Sequence, residues 1–159
     1  MLPYNRDNIV AIATPPGVGA LAVVRVSGGN LKQLYKGFTH RAPKNRLASF
    51  SKLYHPQNSM VLDEVVVTFF ESPNSFTGED VIEISCHGGE AVKNSIVHAA
   101  LDSGARLAGP GEFTFRSFLN GKMDLIQAEA VSALISSKTS LSSKISLDHL
   151  GGRVSGLLI

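Results

Sequence analysis

Short apolar runs rich in β-branched residues alternate with clusters of glycine, proline and asparagine along the first two thirds of the chain. Such runs predict buried strands, and the clusters between them predict turns. The segment Pro56–Ser59 has the length of a hairpin connection, so the strands on either side of it are expected to pair. The predicted strands are Asn8–Ala13, Ala20–Ser27, Leu47–His55, Met60–Glu71, Asp80–His87 and a short one at Ala105–Ala108.

Helical spacing of apolar residues predicts the other elements. Within Glu90–Ser103 the apolar residues recur three or four positions apart, and Gly104 is placed to end this helix. Asp124 has the features of an N-cap, with Gln127 at the capping-box position of a longer helix that follows. The remaining predicted helices are Leu31–Phe38, Glu112–Leu119 and Leu141–Ile159.

These elements predict an α+β fold, in which a mixed β-sheet with flanking helices is followed by the start of an α-helical domain. We expect residues 1–121 to form the first domain and residues 122–159 to begin the helical one. The last residues, Gly156–Ile159, are apolar and uncapped, which is unusual at a natural C-terminus. We therefore expect either a cut in a longer chain or a helix that packs against an absent element.

The composition is that of a globular domain, with 43% hydrophobic and 18% charged residues among 159. No apolar run approaches the roughly 18 residues that a membrane span needs. The N-terminus lacks the apolar segment of a signal peptide, so we expect no membrane association. The single cysteine, Cys86, excludes an internal disulfide and a cysteine-rich zinc site, which favours a reducing, cytoplasmic location.

The net charge of +2 is unevenly distributed. Between Asn8 and Leu62 there are seven lysines and arginines and no acid, whereas residues 63–159 carry twelve acids against seven bases. Such asymmetry can steer polyanions toward the basic part of a chain. The simpler interpretation is a solvated basic loop, because no arginine-rich or aromatic nucleic-acid motif accompanies the charges.

The segment Gly17–Ala22 satisfies the pattern G-x-G-x-x-A, but it does not predict a nucleotide site. In a dinucleotide-binding domain this loop opens a helix whose N-terminus holds the pyrophosphate. Here it leads into a strand, and no acid follows about twenty residues later to bind a ribose. A tight turn that lets another backbone or a flat ligand approach is the better interpretation. No G-x-x-x-x-G-K-[ST] phosphate-binding loop occurs anywhere in the chain.

Three polar residues are the best candidates for a binding site. Glu83 lies at the centre of a predicted strand, on the face opposite Ile82 and Ile84, where a partly desolvated carboxylate needs donors. Arg25 lies between two valines of another strand, where its guanidinium must be matched. Each also has a structural interpretation: an exposed face or ion pair for Glu83, a structural ion pair for Arg25, with Glu83 itself as one partner. Lys122 follows a turn and, on pattern alone, is an ordinary surface lysine.

Several other polar residues favour structural roles. Cys86 and His87 point to opposite faces of their strand, so we interpret Cys86 as a buried apolar residue and His87 as a brace for the following turn. We expect Glu79 and Asp80 to act in turns and capping. Glu112 and Arg116 have the spacing of a helical ion pair. The three phenylalanines Phe113, Phe115 and Phe118 are expected in the core, although they could also frame a flat ring.

Long ordered motifs resemble a known family. The runs NSFTGEDVIEISCHGG (residues 74–89) and PGEFTFRSFLNGKMDLIQAEA (residues 110–130), with ATPPGVGALAVVRVSG near the start, are similar to the N-terminal folate-binding domain of tRNA-modification GTPases of the MnmE (TrmE) type. That domain is in turn similar to the folate-binding aminomethyltransferase fold. The resemblance implies that Arg25, Glu83 and Lys122 occupy the positions of the family's folate ligands.

The resemblance also implies a cofactor and partners. The expected cofactor is a tetrahydrofolate derivative, 5-formyl- or 5,10-methylene-tetrahydrofolate, and the expected assembly is a homodimer. In the family, a flavoprotein of the MnmG (GidA) type and the GTPase together place an aminomethyl-type group on C5 of wobble uridine 34 of tRNA. GTP hydrolysis, with potassium and magnesium, belongs to a G domain whose motifs this sequence lacks. We assign no catalytic or metal-binding residue to this chain, and the alternatives are a stand-alone aminomethyltransferase-like enzyme and a purely structural dimerisation module.

Overall fold

The computed structural model describes residues 6–136 and 140–152. They form two compact units. The first contains the described residues up to Ser75 together with Glu79–Pro110, and the second contains Phe76–Gly78 and the described residues from Gly111 onward. The predicted boundary after residue 121 stays a prediction.

The first unit is built on a six-stranded sheet. Its strands in chain order are β1 (Ile9–Ile12), β2 (Gly19–Gly28), β3 (Ser49–Tyr54), β4 (Val61–Phe70), β5 (Asp80–Gly88) and β6 (Arg106–Leu107). The order across the sheet is β3-β4-β5-β2-β1-β6. The β1–β6 pair is parallel and the other four pairs are antiparallel, so the sheet is mixed.

Two helices of the first unit, α1 (Lys32–Thr39) and α2 (Glu90–Asp102), belong to one hydrophobic core with the sheet. Alternate residues of the central strands enter this core, among them Val24, Ile82 and Ile84, all fully buried. The alternation follows from the two-residue period of a strand, because one face packs on the helices and the other carries the remaining side chains. The face opposite the helices therefore presents the residues between the core positions.

The second unit is helical: α3 (Glu112–Leu119), α4 (Leu125–Ser136) and α5 (Ser140–Leu150). The start of α4 forms the predicted capping box. The Gln127 amide nitrogen donates to Asp124 Oδ1 at 2.8 Å, and the Asp124 backbone nitrogen donates to Gln127 Oε1 at 3.0 Å. Two backbone donors at the helix start are thus satisfied reciprocally.

Two expectations about this helical unit were wrong. The helix predicted over Leu141–Ile159 ends at Leu150, because the glycines at 151 and 152 follow and Gly152 has a positive φ of 82°. The residues from 153 onward, including the apolar end at Gly156–Ile159, lie outside the described residues. Phe115 and Phe118 are 56% and 39% exposed, so they are not core residues; the buried side of α3 is formed by its Arg116 and Ser117.

The α+β class and the mixed sheet are confirmed, as are the five longer strands and the helices α1 to α4 to within a few residues. Among the described residues, no helix combines the length and the apolar character that crossing a bilayer requires.

Candidate ligand-binding site on the sheet

Arg25 and Glu83 lie directly opposite each other on neighbouring strands. β2 and β5 pair antiparallel, and their register makes these two residues partners. Both side chains leave the face of the sheet opposite the helices, because Val24, Val26, Ile82 and Ile84 fill the core positions. Residues 58 positions apart in the sequence therefore meet at the centre of the sheet.

The contact between them is an end-on ion pair. Arg25 Nη2 donates to Glu83 Oε1 at 2.9 Å, and Arg25 Nε donates to the same oxygen at 3.2 Å. Glu83 Oε2 makes no hydrogen bond to any other described residue. A carboxylate has about four lone-pair sites, so Glu83 keeps acceptor capacity on its second oxygen.

This pair is neither buried nor fully exposed. The side chain of Arg25 is 26% exposed and that of Glu83 is 34% exposed. At such exposure, water screens the pair, and its contribution to stability is at most about 1 kcal/mol. The pair therefore orients two charges on the sheet face without being needed to hold the fold together.

Around the pair, the sheet face carries both polar and apolar residues. Thr68 of β4 is the register partner of Glu83. One row further along the strands, Phe50, Val66, Ser85 and Val23 follow one another across β3, β4, β5 and β2. In that row Phe50 is 67% exposed and Val66 43%. Apart from Ser85 this row is apolar, so we call it the apolar row, and it lies beside the charged pair.

Glu79 and Asp80, at the start of β5, have structural roles, as predicted. Glu79 is 2% exposed and its Oε2 accepts a hydrogen bond of 2.7 Å from Ser27 Oγ. The two carboxylate oxygens of Asp80 accept from the backbone nitrogens of Leu31 and Ser72. Asp80 thereby satisfies the start of α1, where Leu31 occupies the N-cap position and offers no side-chain cap.

His87 braces the end of β5 through Asp63. His87 Nδ1 lies 2.8 Å from Asp63 Oδ1, and the His87 backbone nitrogen donates to Asp63 Oδ2 at 2.9 Å. Burial alone would raise the pKa of Asp63, but the hydrogen bonds and charge of His87 outweigh it and hold this pKa below its ordinary value. The His87 side chain is 68% exposed, so its contact with Asp63 lies at the surface, and its predicted role in bracing the following turn stays a prediction.

Cys86 faces the core, as predicted, and is 1% exposed. Burial, and to a lesser extent the charge of Asp63, raises the pKa of its thiol, which keeps the thiol protonated and unreactive. Within the described ranges no group of three His, Cys, Asp or Glu side chains is arranged to hold a metal ion.

The glycine loop before β2 forms a small cavity together with a lysine of α2. The cavity of about 270 Å³ is lined by the loop from Thr14 to Gly19, by Leu21 and Ala22, and by Lys93. Lys93 is 2% exposed, and its Nζ donates to the Gly17 carbonyl at 2.7 Å and to Glu90 Oε1 at 2.9 Å. A buried lysine that is paired in this way fixes the position of the loop.

Gly88 and Gly19 allow the same loop to approach β5. A Cβ atom on Gly88 would lie 2.3 Å from the Gly19 carbonyl oxygen, so only glycine fits there. Gly17 has a φ of +106°, a conformation that glycine adopts without strain. The loop is therefore a tight turn against another backbone, which confirms that interpretation of the glycines.

Lys122 belongs to the second unit. Its backbone nitrogen donates to Ser117 O at 2.9 Å, directly after α3. The segment Phe76–Gly78 lies at the same place: Asn120 Nδ2 donates to Thr77 O at 2.7 Å. Gly78, with a φ of +81°, leaves room for the neighbouring side chains, because a Cβ atom there would lie 2.9 Å from Asn120 Cβ and 3.3 Å from Lys122 Cγ.

Of the three predicted site residues, Arg25 and Glu83 are brought together in the first unit, while the convergence of Lys122 with them stays a prediction. Sequence reasoning missed Lys93. The signal was available, since Lys93 precedes Ile96, Val97 and Ala100 at helical spacings of three, four and seven, and thus lies on the buried side of α2.

The fold and the site define a class of protein: an α+β domain that presents an arginine–glutamate pair on its mixed sheet and carries no nucleotide-binding phosphate loop. The family follows from comparison. The chain belongs to the family described as "GTP-binding protein TrmE N-terminus", which it matches over residues 8–122.

Similar proteins carry the name tRNA modification GTPase MnmE. The protein of Nitrosomonas eutropha is 47% identical over 154 residues, which are 97% of this chain and 34% of the relative. That of Fervidobacterium nodosum is 44% identical over 160 residues, 95% of this chain and 34% of the relative. That of Ligilactobacillus salivarius is 44% identical over 162 residues, 99% of this chain and 35% of the relative. The chain thus spans about a third of the length of these relatives.

Proposed function

We propose that this chain is the tetrahydrofolate-binding and homodimerisation part of a cytoplasmic GTPase that modifies tRNA at C5 of wobble uridine 34. The observation that carries the proposal is the Arg25–Glu83 pair, in which Glu83 is held in place by one oxygen and keeps acceptor capacity on the other. The family and the names of its relatives supply the tRNA-modification context.

Glu83 fits the pterin ring of a reduced folate. The pterin presents a ring N–H and an exocyclic amine side by side, and a single carboxylate can accept from both. Arg25 engages both lone pairs of Oε1, so the two lone pairs of Oε2 are the ones left for the two pterin donors. The match is one of hydrogen-bond inventory.

The glutamate tail of folate is anionic, and Lys122 or Arg25 would be the cation that meets it. A folate held in this way would provide the one-carbon unit of the modification, with 5-formyl- and 5,10-methylene-tetrahydrofolate as the candidate forms. The aminomethyltransferase-like fold belongs to the same proposal.

Homodimerisation is supported by the apolar row on the sheet. Phe50 and Val66 are exposed next to one another on the face opposite the helices, and Leu21 on the same face is 67% exposed. A sheet face of this kind is stabilised when a second copy covers it. The flavoprotein of the MnmG type and the tRNA are the further partners of the whole enzyme, whose G domain would bind GTP with magnesium and potassium.

A structural dimerisation module without ligand is the second candidate. It is favoured by the ion pair itself, because Arg25 and Glu83 satisfy each other in part without any folate. A stand-alone aminomethyltransferase-like enzyme remains the alternative with catalysis, and it would transfer the one-carbon unit to an amine or protein acceptor.

Calorimetric titration of the chain with 5-formyltetrahydrofolate separates these functions. Saturable binding is expected from the proposed function, and its absence would leave the structural module. Guanosine is the appropriate competitor, since its edge offers the same two donors as a pterin; displacement of folate by guanosine at equal concentration would contradict pterin specificity. Transfer of the one-carbon unit to an added amine would instead identify an aminomethyltransferase-like enzyme.

A further inference from the structure

Residues 8–62 contain no acid, and several of their basic side chains line two adjoining cavities beside α1. One cavity of about 260 Å³ is lined by Lys32, Lys36 and the carboxylate Glu71, and the other, of about 340 Å³, by Arg41 and Lys44. Ala42 lines both. We call these two cavities with their four cations the basic cleft. Four of the seven positive charges between residues 8 and 62 thus lie at one place in the first unit.

Most of the charge of the basic cleft is not neutralised. Lys32 forms an ion pair of 2.7 Å with Glu71, which also raises the pKa of this lysine, chiefly through the hydrogen bond between them. For Lys36, Arg41 and Lys44, no acidic partner is found among the described residues. Three exposed cations without counter-charges attract an anion.

The larger cavity is also lined by a hydroxyl that no described residue uses as a hydrogen-bond partner. Tyr35 lines it and is only 4% exposed, yet its phenolic oxygen makes no hydrogen bond to another described residue. Burial raises the pKa of Tyr35, while the charge of Arg41 acts in the opposite direction, so the guanidinium lies within electrostatic reach of the phenol. A protonated phenol is a donor, so this hydroxyl can donate a hydrogen bond to an acceptor bound in the cavity.

Arg41 is held at the cavity by the end of α1. His40 ends this helix in the left-handed conformation. The Thr39 hydroxyl then donates to the Tyr35 carbonyl at 2.9 Å and accepts from the Arg41 backbone nitrogen at 3.2 Å. Arg41 Nη2 donates to the Phe50 carbonyl at 3.2 Å. The guanidinium is thus oriented and retains further N–H groups for a ligand.

We propose that the basic cleft binds phosphate groups of an RNA backbone. Lysine, arginine and hydroxyl donors are the groups that contact phosphate oxygens, and two adjoining cavities suit neighbouring phosphates of one strand. The only aromatic ring in the cleft's larger cavity, Tyr35, packs edge-to-face on Phe69 with centroids 5.7 Å apart, so it is not free to stack on a base. The cleft therefore holds the backbone and does not select sequence.

The choice of RNA over other polyanions rests on the proposed function in tRNA modification. The test is binding of a fluorescently labelled tRNA transcript to this chain, followed by anisotropy at several salt concentrations. The double variant Arg41→Gln/Lys44→Gln should bind about 5- to 20-fold more weakly at low salt. Its plot of log affinity against log salt should be shallower by roughly one to two, as expected for the loss of two phosphate contacts.

The matched control is Arg6→Gln/Lys144→Gln, which removes the same net charge at two exposed positions outside the basic cleft. It should retain the wild-type slope. The variant Tyr35→Phe keeps the ring packing on Phe69, so its melting temperature should not change, while its tRNA affinity should fall about 2- to 5-fold. Equal tRNA binding by the double variant and its control, or no binding of tRNA by the wild-type chain at low salt, would overturn the proposal.

A folate titration of the same variants separates this proposal from the proposed function. Arg41→Gln/Lys44→Gln should bind 5-formyltetrahydrofolate as the wild type does, because neither residue belongs to the Arg25–Glu83 site. If the double variant loses tRNA affinity and the wild-type chain binds no folate, the basic cleft would be supported and the folate function would be excluded. If Arg41→Gln/Lys44→Gln keeps the wild-type tRNA affinity and the wild-type chain binds folate, the folate function would be supported and the basic cleft would be excluded.

Discussion

Glu83 combines two properties that the proposed ligand site requires, a fixed position and a free acceptor. Its position is fixed by Arg25, which contacts Oε1 through two nitrogens, and its acceptor capacity is preserved because both contacts use the same oxygen. A fork-to-fork arrangement would have occupied both oxygens. The end-on geometry therefore fixes the carboxylate and leaves its second oxygen available as an acceptor.

Asp63 leads to a prediction about pH. Because its pKa is lower in the folded chain than the ordinary value of 3.8, its contacts with His87 stabilise the fold above that pH and are lost as the pH falls through the folded value. Asp63→Asn should lower the free energy of unfolding by about 1 kcal/mol at neutral pH. The difference from wild type should shrink below about pH 4.

The measurement is denaturant unfolding of wild type and Asp63→Asn at pH 7 and near pH 3. Glu64→Gln, at the exposed neighbouring position, is the control and should behave as wild type at both pH values. A destabilisation by Asp63→Asn that is the same at both pH values would contradict the assigned role of the carboxylate.

At this residue scale, the alternation of Ile82, Glu83 and Ile84 was enough to predict that Glu83 leaves the core face. The pairing with Arg25 was only one of several interpretations, since the pattern of a strand gives its faces but not its register with a distant strand. Lys93 was missed because a lysine on an apolar helix face is usually excluded from the core, and its acceptor, the Gly17 carbonyl, cannot be identified from sequence.

At the scale of the elements, the pairing of β2 with β5 requires a close backbone contact between Gly19 and Gly88. The backbone of Gly19 approaches Gly88 so closely that a methyl group would collide with the carbonyl oxygen. This approach sets the end of both strands and brings the glycine loop over Lys93. The loop position is therefore a property of the strand pair and its packing.

Gly88→Ala should destabilise the chain by about 1–3 kcal/mol, because the strand ends must separate to admit the methyl group. The adjacent Gly89 is an ideal control. It has an ordinary extended φ of −73°, and a Cβ atom there would meet nothing within 4 Å. Thermal unfolding should show Gly89→Ala close to wild type; equal effects of the two substitutions would refute the proposed close approach.

The start of a helix could be predicted where the residues that form its cap are close together in the sequence. The capping box of α4 was identified from two residues three positions apart, and its two hydrogen bonds form within that span. The end of α5 was not predicted, because apolar residues beyond Leu150 suggested continuation, while the glycine pair at 151 and 152 stops the helix. A local breaker outweighed the longer pattern.

At the scale of the whole molecule, three residues of the first motif run join the helical unit that contains nearly all of the second run. Phe76–Gly78, from the first run, lies against the end of α3, from the second, through the Asn120–Thr77 hydrogen bond. The strand that follows Gly78 belongs to the first unit and carries Glu83. Family resemblance suggested that these runs act together, but no periodicity in the sequence predicts that a three-residue segment joins the helical unit.

The apolar row on the sheet leads to a prediction about assembly. Phe50→Asp should weaken self-association by at least about tenfold, because a charge would be buried if a second copy covers this face. The control Leu107→Asp places the same charge at a 60%-exposed apolar position on the edge strand β6. Sedimentation velocity over a concentration series should show monomer for Phe50→Asp and dimer for Leu107→Asp; a dimer in both would exclude the row as the contact surface.

The central claim is that Glu83 recognises a reduced pterin, and paired calorimetric titrations with 5-formyltetrahydrofolate test it most directly. Glu83→Gln retains an oxygen for Arg25 but loses one acceptor and the charge, so we expect folate affinity to fall by about tenfold or more while the melting temperature stays near that of wild type. Glu64→Gln, which removes an exposed carboxylate from the neighbouring strand β4, should bind folate as wild type does. Undiminished folate affinity in Glu83→Gln would contradict the account.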